Sequence, residues 1–144
     1  MRLFISYAHD DEETVRAIVD LLRVGGHEPW FDAWLLPGQD WQAELLKAIQ
    51  GCKAFVYMLS PRAVESAWCQ WEFGKAVQMG KKVLPVLLEA GTPLPAVLGR
   101  TQFVDFSMPP GDMRYARATA QLMGGLTRVA VTVDEEDLPP TPDP

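Results

Sequence analysis

The sequence predicts an α/β fold with three layers: a five-stranded parallel sheet, order 2-1-3-4-5, with helices on both faces. Three observations predict it. Short apolar runs and amphipathic helical patterns alternate five times along the chain, the mark of a parallel sheet with crossover helices. The most apolar run, Ala54–Leu59, has no polar face, as a central strand covered on both sides requires. The 144 residues, 48% apolar and 22% charged, suit one ordinary globular domain with a proper core.

The elements follow in order. Arg2–Tyr7 reads as a buried strand. A helix then starts near His9, with Asp10 and Glu13 spaced as a capping box. Its apolar stripe is Val15, Ile18, Val19 and Leu22, and Gly25-Gly26 end it. Glu28–Phe31 is a short second strand, followed by a loop from Asp32 broken at Pro37-Gly38. Asp40 caps a second helix with the stripe Trp41, Leu45, Ala48 and Ile49, closed by Gly51. After the Ala54–Leu59 strand, a helix carries Trp68 and Glu72 and runs to about Met79. Lys82–Leu88 is a fourth strand whose Pro85 marks a strand end or an irregular edge. Residues 89–99 read as loop, Phe103–Phe106 as a fifth strand and Asp112–Gly124 as a last helix. Val129–Val133 alternates enough for a sixth strand, or else begins the tail. This is a flavodoxin-like pattern, whose switch point falls between the first and third strands. The residues following those strands, Ala8-His9-Asp10 and Ser60-Pro61, should border the ligand crevice.

Charge and composition exclude several classes. The net charge of −6 is concentrated at the end, where residues 133–144 hold five acids and no base. Without them 14 acids face 13 bases, so there is no nucleic-acid footprint. The division is therefore a domain over 1–133 and an acidic, Pro-rich tail or linker over 134–144. No apolar run approaches the ~20 residues of a membrane span, and the start is too quickly polar for a signal peptide; the chain reads as cytoplasmic. Cys52, Cys69, His9 and His27 lack zinc spacing, so no metal is expected. The turn after the first strand has no glycine, which argues against a dinucleotide-binding oxidoreductase, and no P-loop is present. Ser60 stands where a phosphorelay receiver would end its third strand in aspartate.

The segment Ser60–Phe73 carries the most information. Trp68 and Glu72 lie four residues apart on one helix face, just past the strand that opens on the crevice. Both precede residues of the apolar stripe Cys69, Phe73, Ala76 and Val77, so they sit about 100° to one side of it and should border the core as a pocket wall.

Three motifs together resemble the TIR domains in their bacterial form. They are Phe4-Ile5-Ser6-Tyr7-Ala8-His9-Asp10-Asp11, the loop Phe31–Trp41, and Ser60-Pro61 through Trp68-Cys69-Gln70-Trp71-Glu72-Phe73. The resemblance covers residues 1 to about 90; residues 91–133 match only in general pattern. It implies an NAD+ glycohydrolase or cyclase that cleaves the nicotinamide–ribose bond, switched on by self-assembly, in bacterial anti-phage immunity. Glu72 takes the place of the family's catalytic glutamate and Trp68 that of its neighbouring tryptophan. Tyr7, Ala8, Asp32, Trp34, Leu36 and Ser60 are the expected substrate-binding residues. No cofactor is expected, NAD+ being the substrate. The expected partners are other TIR domains, through the loop 32–41, and a sensor domain beyond the tail; neither nucleic acid nor membrane is expected.

The chemistry is consistent with a single carboxylate. Glycosidases that release an alcohol need a second acid to protonate it. Nicotinamide in NAD+ is already a pyridinium and leaves neutral, so one carboxylate can stabilise or attack the ribosyl centre. Two other functions stay open: a non-catalytic TIR–TIR scaffold, and a nucleoside deoxyribosyltransferase-like enzyme. Residue by residue, the plainer alternatives are a surface Glu72 paired with Lys75, a core Trp71, and Asp10 and Asp11 as first-turn acids.

Overall fold

The computed structural model describes residues 1–31, 37–99 and 101–136, with side chains described as far as residue 128. Five strands form one sheet: β1 (Arg2–Ser6), β2 (Glu28–Trp30), β3 (Ala54–Leu59), β4 (Lys82–Leu87) and β5 (Val104–Asp105). Their order is β2-β1-β3-β4-β5 and every pairing is parallel, as expected. The helices are α1 (Glu12–Val24), α2 (Trp41–Gly51), α3 (Pro61–Glu65), α4 (Ala67–Gln78) and α5 (Met113–Glu136).

Side chains alternate across a strand, and here that alternation builds two cores. Leu3 and Ile5 of β1 and Tyr7 just after it, with Ala54, Val56 and Met58 of β3, face α1 and α5. Phe4 and Ala8, with Phe55, Tyr57 and Leu59, face α2, α3 and α4. All six residues of β3 are buried. The α1 stripe Val15, Ile18, Val19 and Leu22 is buried as its spacing predicts, and Gly26 (φ 85°) ends the helix. Asp40 caps α2, its carboxylate accepting from the Ala43 N–H. Pro85 lies where β4 is paired only to β3, because β5 begins its pairing at Val86; its missing N–H therefore costs no ladder bond on that side.

Several boundaries differ from the sequence expectation. The start of the first helix is a 3-10 turn, His9–Asp11, and neither Asp10 nor Asp11 caps with its side chain. The Trp68/Glu72 helix is preceded by a separate short one, α3, and Ser66 breaks the two. Residues 129–133 are the continuation of α5, not a sixth strand. Gly124-Gly125 does not end α5: a Cβ at Gly125 would meet Leu84 Cδ1 at 3.3 Å, so the glycine serves close helix–sheet packing. With the helix uninterrupted, the alternating valines follow it. The acidic run begins inside α5, which extends to Glu136; the rest of the expected tail lies outside the described residues. Among those residues no helix is long and apolar enough to cross a membrane.

Candidate active site

The first and third strands are neighbours whose chains leave in opposite directions, β1 towards β2 and β3 towards β4. A crevice at their carboxyl edge follows from that divergence. A cleft of about 240 Å³ occupies it. Tyr7, Ala8, His9 and Asp10 line it from the end of β1, Arg62 and Ser66 from around α3, and Trp68 and Glu72 from α4.

Glu72 is the deepest acid of this cleft, only 6% exposed. The hydroxyl of Ser6, itself fully buried, donates to Glu72 Oε1 at 2.9 Å. A buried carboxylate needs such donors to stay charged. This burial overturns the reading of Glu72 as a plain surface acid; Lys75 lies over the Trp71 ring, 5.8 Å from its centroid. The helix orientation also departs from the expectation that Glu72 and Trp68 border the core equally. Cys69, Phe73 and Ala76 are core, but Val77 is 46% exposed. The buried face of α4 is thus rotated towards Glu72, which turns inward while Trp68 turns outward, 52% exposed. Tyr57, beneath the same face, has its phenol pushed up by burial first and then by Cys69 and Glu72.

Trp68 is not a free plate. Trp41, the first residue of α2, meets it edge-on with ring centroids 4.3 Å apart and planes at 82°. Trp71 also meets it edge-on, at 6.2 Å, and is partly buried against the core, which agrees with the core reading of Trp71. Tyr7 is buried and lies edge-on to Phe31 at 6.1 Å.

The remaining expected residues divide. Tyr7, Ala8, Trp68 and Glu72 are brought together in the cleft. Ser60 is not among its lining: it is fully buried, accepts from the Ala63 N–H at 3.1 Å and donates to Asp11 Oδ2 at 2.5 Å. Its role is to cap α3 and tie it to the turn after β1. Asp32, Trp34 and Leu36, with the rest of 32–36, lie outside the described residues. Sequence reasoning missed Ser6, Asp11 and Arg62. Asp11 is a first-turn acid as expected, but it is buried, and Arg62 Nε donates to its Oδ1 at 2.9 Å. The signal for Ser6 was available: period two places it on the Phe4/Ala8 face, under α4.

A larger cleft, about 530 Å³, opens at the opposite edge of the sheet between Arg2, Trp30, Lys47 and Cys52. It lies away from the switch point, and its charges include the exposed Arg2–Glu28 pair. Among the described residues no three His, Cys, Asp or Glu side chains are grouped to hold a metal, and Cys52 and Cys69 are both buried.

A flavodoxin-like domain with a buried glutamate lining the cleft at its switch point is the class that fold and site define. The family model of the TIR domain matches residues 3–123, and the chain belongs to that family. Solved structures agree. The TIR domain of the Toll-related receptor TRR-2 from Hydra magnipapillata matches with a TM-score of 0.66 at 18% identity, over 74% of this chain and 84% of that one. The TIR domains of the activated Roq1 resistosome match with a TM-score of 0.65 at 20% identity, over 86% and 98%. A metazoan TIR-STING receptor from C. gigas matches with a TM-score of 0.65 at 26% identity, over 85% of this chain but 39% of that longer one. No curated protein matches this chain in sequence.

Proposed function

We propose that this TIR domain cleaves NAD+ at the nicotinamide–ribose bond, with Glu72 as its catalytic carboxylate. The observation that carries the reading is Glu72 itself: a glutamate buried at the sheet's switch point, lining a cleft, and held by a hydroxyl donor from Ser6. A carboxylate placed there stabilises the positive charge that develops on the ribosyl centre. The C–N bond breaks, its electron pair goes to the pyridinium nitrogen, and nicotinamide leaves neutral. Water then adds to the ribosyl carbon and loses a proton, giving ADP-ribose; an adenine nitrogen in its place gives a cyclised product. Trp68 offers an aromatic wall for the pyridinium. Tyr7 and Ala8 close the side towards β1.

The cleft is smaller than the ~300–1,000 Å³ of sites that enclose a whole ligand. Self-assembly through the loop 32–41, which adds a neighbour's surface to the cleft, fits that shortfall. The biological role consistent with this chemistry is immune defence by NAD+ depletion or by a nucleotide signal. A second reading, a scaffold that turns nothing over, draws support from the exposed Trp41–Trp68 pair, since aromatics are enriched in protein interfaces. NAD+ consumption at high protein concentration, with products resolved by chromatography, tests the two. Nicotinamide release by the wild type and none by Glu72→Gln is the expected result; no release even from assembled protein favours the scaffold.

A further inference from the structure

We infer that Arg62 is the residue of this cleft that binds the substrate's diphosphate, a role that rests on the NAD+-cleavage reading and extends it. Three observations lead there. First, Arg62 is the one lysine or arginine among the described residues lining the cleft, and it shares that lining with the acids Asp10 and Glu72. A dinucleotide brings a pyridinium for the Glu72 end and two phosphate charges that Glu72 cannot serve. Second, a cleft of about 240 Å³ holds only part of a dinucleotide. With the nicotinamide riboside half at Glu72, the diphosphate must lie at the rim. Third, Arg62 is half-anchored and half-open. Its Nε and Nη2 contact Asp11 Oδ1 at 2.9 and 2.8 Å, and Nη2 reaches Glu89 Oε1 at 3.4 Å.

The anchor is well built. Asp11 is buried, and its second oxygen accepts from Ser60 Oγ. Hydrogen bonding and charge from Asp11 hold the Arg62 guanidinium firmly protonated. Yet the side chain is 42% exposed, and Nη1 carries no hydrogen bond among the described residues. Those N–H groups form the free edge of a fixed fork, the geometry that phosphate oxygens accept in pairs. Asp11 is accordingly a positioning residue: it aims a cation without consuming all its donors.

The test compares NAD+ with nicotinamide riboside, which carries the same scissile bond and no phosphate. For Arg62→Gln, the ratio of kcat/KM for NAD+ to that for nicotinamide riboside falls about tenfold, mainly through KM for NAD+. The wild-type KM for NAD+ rises with salt, and that dependence flattens in the variant. Arg62→Lys keeps the charge near Asp11 but lacks the fork, so its ratio falls by a smaller factor; it also serves if the Gln variant does not fold. An unchanged ratio in both variants, whatever the overall activity, would mean that Arg62 only ties α3 to the turn after β1, and would overturn the assignment while leaving the cleavage reading intact. Wild-type protein that cleaves neither compound overturns both.

Discussion

Replacing Ser6 by alanine tests how Glu72 is kept ready. Ser6 and Glu72 are joined by a 2.9 Å hydrogen bond between two buried side chains. A hydrogen bond to a charged group is worth about 1.5–3 kcal/mol. Glu72 keeps other interactions, so the lower end applies: about 1.5 kcal/mol, or roughly tenfold in kcat/KM. The direction with pH follows from which form loses the donor. Ser6 donates to the carboxylate, so its removal disfavours the ionised state and moves the acid limb of the pH–rate profile to higher pH. The assay is NAD+ turnover by assembled protein across pH 4–9, beside a carboxyl NMR titration of Glu72 that does not depend on turnover. In the Glu72→Gln background the same Ser6→Ala change should cost no further activity, because the two act as a unit. A kcat/KM within about twofold of wild type, with an unmoved acid limb, would refute the reasoning; Ser6 would then be packing only.

Other perturbations probe the frame around the site. Ser60→Ala removes the α3 cap and the hydroxyl donor on Oδ2 of the buried Asp11 carboxylate, leaving Arg62 on Oδ1; together these should cost about 2–4 kcal/mol in urea unfolding. Trp41→Ala removes the edge-on ring against Trp68, an interaction worth about 0.5–1.5 kcal/mol; it should red-shift the tryptophan emission and raise KM more than it lowers kcat. Asp112 is depressed to about 2 by the hydrogen bond from Arg114 and the Arg114 backbone N–H. Its support for the start of α5 is complete above the unfolded carboxylate value near 3.8 and is lost as pH falls through about 2. A side-chain carboxyl titration that instead gave an ordinary aspartate value would contradict that pairing.

The parallel sheet and its order were legible because the alternation of apolar runs leaves few other windings. Both faces of β1 and β3 could be read from period two, and all four α1 stripe residues are buried as predicted. The cleft's position followed from topology, the placing of Glu72 and Trp68 beside it from their spacing, and the role expected of Glu72 from the family resemblance. What escaped was set by tertiary contact. The inward turn of Glu72 depends on the rotation of α4 about its axis, which the stripe alone misplaced by including Val77. Asp11 and Ser60 are 49 residues apart in sequence, and their bond exists only because β1 and β3 are neighbours. Gly124-Gly125 looks locally like a helix stop, yet Gly125 answers to Leu84 across the interface. The α3–α4 break was nearer the surface of the text: Ser60 and Ser66 each stand before a helix and each accepts the capping N–H.

The central claim is that Glu72 is a catalytic carboxylate acting on NAD+. Its most direct test is NAD+ consumption by the concentrated, assembled protein, wild type beside Glu72→Gln, with nicotinamide and ADP-ribose products quantified by chromatography. Stoichiometric nicotinamide release by wild type, reduced at least ~10²-fold in the variant with its fold intact, is the predicted result. Equal release by both would contradict the assignment of Glu72, and no release by either would contradict the enzymatic reading altogether.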